Sequence, residues 1–208
     1  LLVREDDRVS QLPIDPMRCA VVVLAAGGGS RFEGVTHKLL APIEGRPLVV
    51  RAVGAAVEAA IGPVIVVAGA VDLTDALADA GLVDQVTVVL NESWREGQAT
   101  SLQVAISAAD RPDIDAVVVG LGDQPGIPAE AWRLVAEADP TAAIAVATYD
   151  GRPRHPVRLA RRVWPDLLTI GDEGARPLMA RRPELVMEIS CPGRPADIDT
   201  LEDLARWS

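Results

Sequence analysis

The sequence predicts a three-layer α/β/α domain built on a mostly parallel sheet. Short apolar runs recur along the chain, and segments of helical period lie between them. Strands that are apolar throughout belong to a sheet covered on both faces, the usual situation of parallel strands joined by helices.

The elements follow in order. Residues 20–24 form the first apolar run and lead into Gly27, Gly28 and Gly29. Further strands are expected at 64–68, 86–90, 116–120 and 142–147. Helices are expected at 47–60, 73–80, 99–109 and 129–138, with Pro47 and Pro128 where a first helical turn tolerates proline. After Tyr149 the rhythm changes. Asp150, Gly151, Arg152 and Pro153 read as a turn, followed by a short strand at 155–159 and helices at 161–168 and 173–181. A strand at 185–189 and a helix at 200–207 complete the series. This half is expected to continue the sheet and cover its ligand edge, which makes residues 18–208 one domain. Residues 1–17 are expected to be a flexible extension. They lack the apolar core of a signal peptide, and Met17 is the expected translation start.

Composition bounds the function. The chain has 208 residues, enough for one good core. Its net charge, 20 minus 30, is −10, which argues against duplex nucleic acid as a partner. No run approaches the roughly 18 uninterrupted apolar residues of a membrane span. Between residues 151 and 194, nine arginines stand against five acids, a local balance of +4. That stretch is either a solvated face or an anion-receiving lobe. Cys19 and Cys191 form no CxxC pair, and His37 and His155 are not at metal-ligand spacing. Neither a disulfide framework nor a zinc site is expected, and a reducing cytoplasm fits. His37 reads as exposed loop, and Trp94, Trp132, Trp164 and Trp207 as packing residues.

In open parallel sheets, ligands bind outside the carboxyl ends of the strands. The three glycines follow the first strand, Asn91 the third, and Asp123, Gln124 and Pro125 the fourth. A dinucleotide fingerprint starting at Gly27 fails at Phe32, and a phosphate-binding P-loop starting at Gly29 fails at Val35. What remains is bare backbone near Arg31 and Lys38, either a phosphate cradle or a tight turn beside surface cations. Asp123 is a hard oxygen donor suited to Mg²⁺, or a turn or helix-cap aspartate.

The stretch AAGGGSR followed by Lys38 resembles the signature of nucleotidyltransferases that make molybdenum-cofactor derivatives. VVVGLGDQPG, NESWREGQATSL, RHPV, GDEGAR and DIDTLEDL are similar to that family's other motifs, in the same order, from about residue 21 to 204. The resemblance implies a Rossmann-like nucleotidyltransferase fold and Mg²⁺-dependent transfer of a nucleotidyl group with release of pyrophosphate. Leu24, Ala25, Ala26, Gly27, Gly28, Gly29, Arg31, Lys38, Asn91 and Ser101 would hold the nucleotide. Arg31, Lys38 and Asp123 would be catalytic, and Asp123 and Asp199 would bind the metal. Asp199 or Thr200 could instead simply cap the last helix. Gln124, His155 and Arg176 would meet the acceptor, although His155 also reads as a structural residue and Arg176 as a partner of nearby acids.

Ala25-Ala26-Gly27, with Gln98 and Ala99 after Gly97, is similar to the cytidylyl branch. This implies CTP as donor, a molybdopterin-type phosphate as acceptor, and transient contact with a molybdoenzyme or its chaperone. One departure stands out. The link from Arg31 to Lys38 is longer than in the family, and Glu33 would repel a triphosphate unless it points outward. Two other readings stay open: the same chemistry on another phosphorylated acceptor, and a nucleotide-binding maturation or regulatory protein without turnover. A redox enzyme on a dinucleotide fold is weakened by Phe32.

Overall fold

The computed structural model describes residues 15–207. Most of the expected extension, residues 1–14, therefore lies outside the described residues. The core is a seven-stranded sheet in the order β5-β4-β1-β6-β8-β7-β9. These strands are β1 (Cys19–Ala25), β4 (Val64–Ala68), β5 (Val86–Leu90), β6 (Ala116–Leu121), β7 (Ile144–Tyr149), β8 (Arg152–Ala160) and β9 (Val186–Ser190). β2 (Pro42–Ile43) and β3 (Arg46–Pro47) form a separate two-stranded ribbon. Only β8 runs against its neighbours, so six of the seven strands of the main sheet point the same way.

Alternation along β1 builds both layers, because successive side chains leave a strand on opposite faces. Val21, Val23 and Ala25 pack toward α1 (Leu48–Glu58), α2 (Thr74–Asp79) and α4 (Ala129–Ala136). Ala20, Val22 and Leu24 pack toward α3 (Gln98–Ala109) and α5 (Arg176–Arg181). A short α6 (Leu201–Ala205) ends the described chain. No helix among the described residues is long and apolar enough to cross a membrane.

The structure corrects several boundaries. Residues 161–166 form a 3-10 helix containing Pro165 rather than an α-helix. β8 is longer than expected and pairs with β7 through a turn at Asp150 and Gly151, both with positive φ, as two-residue hairpins require. β5 is apolar but lies at the sheet edge, leaving Val88 and Leu90 exposed. The arginine-rich stretch is largely tied up within the fold. Arg158 is fully buried and donates to the carbonyls of Ala136, Ala138, Asp139 and Ala142. Arg161 pairs with Asp110, Arg182 with Glu184, and Arg194 stacks on Trp207.

Gly120 sits inside β6 because the buried Trp132 ring covers it. A Cβ there would lie 2.4 Å from Trp132 Cη2. Gly120→Ala is expected to cost about 1–3 kcal/mol through overpacking, and Trp132→Ala about 3–5 kcal/mol through a cavity. Because the two sites share one space, combining Gly120→Ala with Trp132→Ala should cost less than the sum. Urea melts of the three variants check this; strictly additive losses would show that the ring and the glycine do not constrain one another.

Candidate functional site

β1 and β6 are neighbours, and the chain leaves them toward opposite halves of the sheet. Ligands favour the crevice at such a reversal. A cleft of about 490 Å³ opens there, lined by the loop from Ala26 to Arg31, Lys38, Trp94, Arg95, Ser101, Asp123, Asp172 and Asp199. Gly28 and Gly29 are required sterically. A Cβ on Gly28 would come within 2.7 Å of the Trp94 ring, and Gly29 has φ of 61° with its open side against the Lys38 stem.

Lys38 reaches the centre despite the long link from Arg31. Its Nζ donates to Asp123 Oδ2 at 2.7 Å and to Asp199 Oδ1 at 2.9 Å, while the Arg31 guanidinium lies 2.9 Å from Asp199 Oδ2. Burial works against the ammonium charge, but the two carboxylates outweigh it and hold the pKa above the ordinary lysine value. Glu33 is exposed and absent from the cleft lining. His37 is half-buried, not an exposed loop residue: its Nδ1 accepts from the Leu39 N–H and caps the 3-10 turn that begins at Lys38.

Asp199 is free to face Lys38 because Thr200 does the capping. The Thr200 hydroxyl accepts from the Asp203 N–H, and the Asp203 carboxylate accepts from the Thr200 N–H. The Ile198 N–H donates to the Asp123 carbonyl, which draws residues 197–199 across the end of β6.

Other expected site residues take different places. Asn91 is buried and its amide donates to Thr100 and Ser101, while its oxygen accepts from the Ser93 N–H. It therefore shapes the turn before α3 instead of lining the cleft, whereas Ser101 does line it. Gln124 is also buried, donating to Asp197 Oδ1 at 2.8 Å. That burial gives it a place behind Asp123 rather than on an acceptor. Burial and the charge of Asp123 raise the Asp197 pKa. Ala25 is enclosed in β1, while Leu24 and Ala26 line the cleft.

His155 and Arg176 lie beyond this group, in an adjoining cavity of about 230 Å³ that shares Leu24 and Gln98 with the cleft. Burial, with Arg176 and Arg154, pushes the His155 imidazole down to about 4, so it is neutral near pH 7. Sequence reasoning passed over Trp94, assigned to packing, and Arg95 and Asp172, assigned no part. Their only signal was position, within or beside motifs already singled out.

A divalent ion has a fitting place. No set of three His, Cys, Asp or Glu side chains is arranged for a metal among the described residues. Mg²⁺, however, commonly takes one or two carboxylates and completes its shell with water and substrate phosphates. Asp123 and Asp199 offer those carboxylates, and Asp123 Oδ1 is buried without a hydrogen-bond partner.

Comparison with known proteins agrees with this fold. The MobA-like NTP transferase domain matches residues 21–186. A 2-C-methyl-D-erythritol 4-phosphate cytidylyltransferase of Frankia casuarinae is 34% identical over 69% of this chain, and the match spans about half of it, 48%. A nucleotidyl transferase from Methanothermobacter thermautotrophicus, Mth528, superposes with a TM-score of 0.77 at 26% identity, covering 91% of this chain and 95% of that one. The manganese complex of Rv0371C from Mycobacterium tuberculosis gives 0.75 at 27% identity, covering 91% and 97%. With a match over residues 21–186 and the sheet of a nucleotidyltransferase, the chain belongs to the MobA-like NTP transferase family of nucleotidyltransferases.

Proposed function

We propose that the chain transfers CMP from CTP to the terminal phosphate of a molybdopterin-type acceptor and releases pyrophosphate. The observation that carries this reading is the Lys38 ammonium bridging Asp123 and Asp199 beside the glycine loop. In the reaction, an acceptor phosphate oxygen attacks the α-phosphorus in line, and the bond to the pyrophosphate oxygen breaks. Positioning and charge neutralisation dominate such transfers. The N–H groups around Gly27–Gly29 would receive phosphate oxygens, and Lys38 and Arg31 would neutralise the charge gathering on the leaving pyrophosphate. Asp123 and Asp199 would hold Mg²⁺ or Mn²⁺, which supplies further charge neutralisation at the phosphates. The Ala25-Ala26-Gly27 sequence and the Frankia cytidylyltransferase favour CTP as donor.

The adjoining cavity favours a flat heterocycle over a sugar. Its walls include Leu102, Val119, Val146, Val157, Leu159 and Met179, while Gln98, His155 and Glu173 present polar groups and Arg154 and Arg176 add cations. A polyhydroxylated sugar would leave hydroxyls unpaired against those walls, which is costly. A pterin ring would lie between apolar side chains with its edges toward the polar ones.

Thermal melts with CTP, GTP, ATP and UTP test the donor, since a ligand that binds the native state raises its stability. The expected result is a rise with CTP that needs Mg²⁺ or Mn²⁺ and disappears with chelator. A rise with GTP alone would overturn the cytidylyl reading, and none with any nucleotide would overturn nucleotidyl transfer. Asp123→Asn is expected to lower kcat with molybdopterin cofactor by about 100-fold or more while CTP affinity in the presence of Mg²⁺ falls far less; equal losses in both would make Asp123 a binding residue only.

A further inference from the structure

We propose that Arg95 is a third cation for the triphosphate, held ready by stacking on Trp94, and that it contacts the β- and γ-phosphates. The assignment rests on the nucleotidyl-transfer reading above and extends it to a residue inside the NESWREGQATSL motif that was given no role. Three cations and three acids line the cleft: Arg31, Lys38 and Arg95 against Asp123, Asp172 and Asp199. Lys38 is already engaged by two carboxylates and Arg31 by one. Arg95 differs. Its guanidinium lies over the Trp94 ring, 4.2 Å from the centroid, and has no ion pair or hydrogen bond among the described residues.

The stack fixes a long side chain that would otherwise lose conformational freedom on binding. Trp94 is itself fixed, half-buried against the layer under α3, with its edge against the bare face of Gly28. The aromatic ring thus joins the glycine loop on one side to the guanidinium on the other. Without Arg95 the lining would carry a net negative charge and repel a nucleoside triphosphate. A planar fork with free donors suits phosphate oxygens, and the Trp94 contact places it on the side of the loop's middle glycine. The glycine loop would receive the part of the donor that leaves.

The test compares binding of CTP, inorganic pyrophosphate and CMP to wild type, Arg95→Gln, Arg95→Lys and Trp94→Ala by calorimetry with Mg²⁺. Arg95→Gln is expected to weaken CTP and pyrophosphate about 10-fold, near 1.4 kcal/mol, while CMP binding stays within about twofold. Arg95→Lys should recover part of the loss, and Trp94→Ala should reproduce part of it with Arg95 still present. Arg95 is exposed, so an unchanged melting temperature without ligand is expected for Arg95→Gln. Wild type that binds CTP and pyrophosphate, with Arg95→Gln doing so equally well, would overturn the assignment alone. A loss shared by CMP would also overturn it, by moving the contact to the nucleoside or α-phosphate end. Wild type that binds neither CTP nor pyrophosphate would remove the nucleotidyl-transfer reading and this assignment with it.

Discussion

The ammonium of Lys38 between Asp123 and Asp199 is the contact on which the remainder of the site depends. It joins three pieces of chain with little else in common: the loop leaving β1, the end of β6, and the segment before α6. Two carboxylates drawn together in a half-buried cleft repel one another, and a single cation between them removes most of that cost. The backbone bond from Ile198 to Asp123 and the buried amide of Gln124 against Asp197 hold the same junction from behind. The cleft is therefore organised by ion pairs at its front and by hydrogen bonds from amides at its back.

That division has a chemical logic. Arg31 is exposed at the cleft and Lys38, though buried, lines it, while Asn91 and Gln124 are enclosed away from it. Lys38 and Arg31 are paired with acids that could pass to other partners, while Asn91 and Gln124 are buried and hydrogen-bonded at the rear. The adjoining cavity follows a related rule, with apolar walls and ionisable groups among them. The neutral imidazole of His155 in that setting follows from burial and two nearby arginines.

Much of this was legible in the sequence because the motifs come in order and three of them run on from predicted strands. The parallel sheet followed from the apolar runs, and the convergence of Asp123, Lys38 and the glycines followed from the rule that ligands gather at strand ends. What the sequence hid has physical reasons. An apolar run does not say whether a strand is central or at an edge, so the exposure of Val88 and Leu90 in β5 was invisible. Arg158 stands in a strand whose interior-facing positions should be apolar, and only the tertiary structure supplies the four carbonyls that accept its protons. Asn91 and Gln124 carry polar side chains in motif positions, and nothing in their identity separates a residue that touches a ligand from one that shapes the residue beside it. Trp94 suffered the opposite ambiguity, since an aromatic ring reads as packing until its neighbours are known.

The span of the central ion cluster has a consequence for biosynthesis. Lys38 and Asp199 stand 161 positions apart, so their contact closes a loop that takes in most of the chain. During translation the glycine loop and β6 emerge long before Asp199 does, so these strands can pair while one of the two carboxylates that hold Lys38 is still missing. A nascent chain in that state would offer Lys38 only Asp123 of its two partners. The complete pair of carboxylates exists only once the segment carrying Asp199 has left the ribosome and crossed back over the strand end.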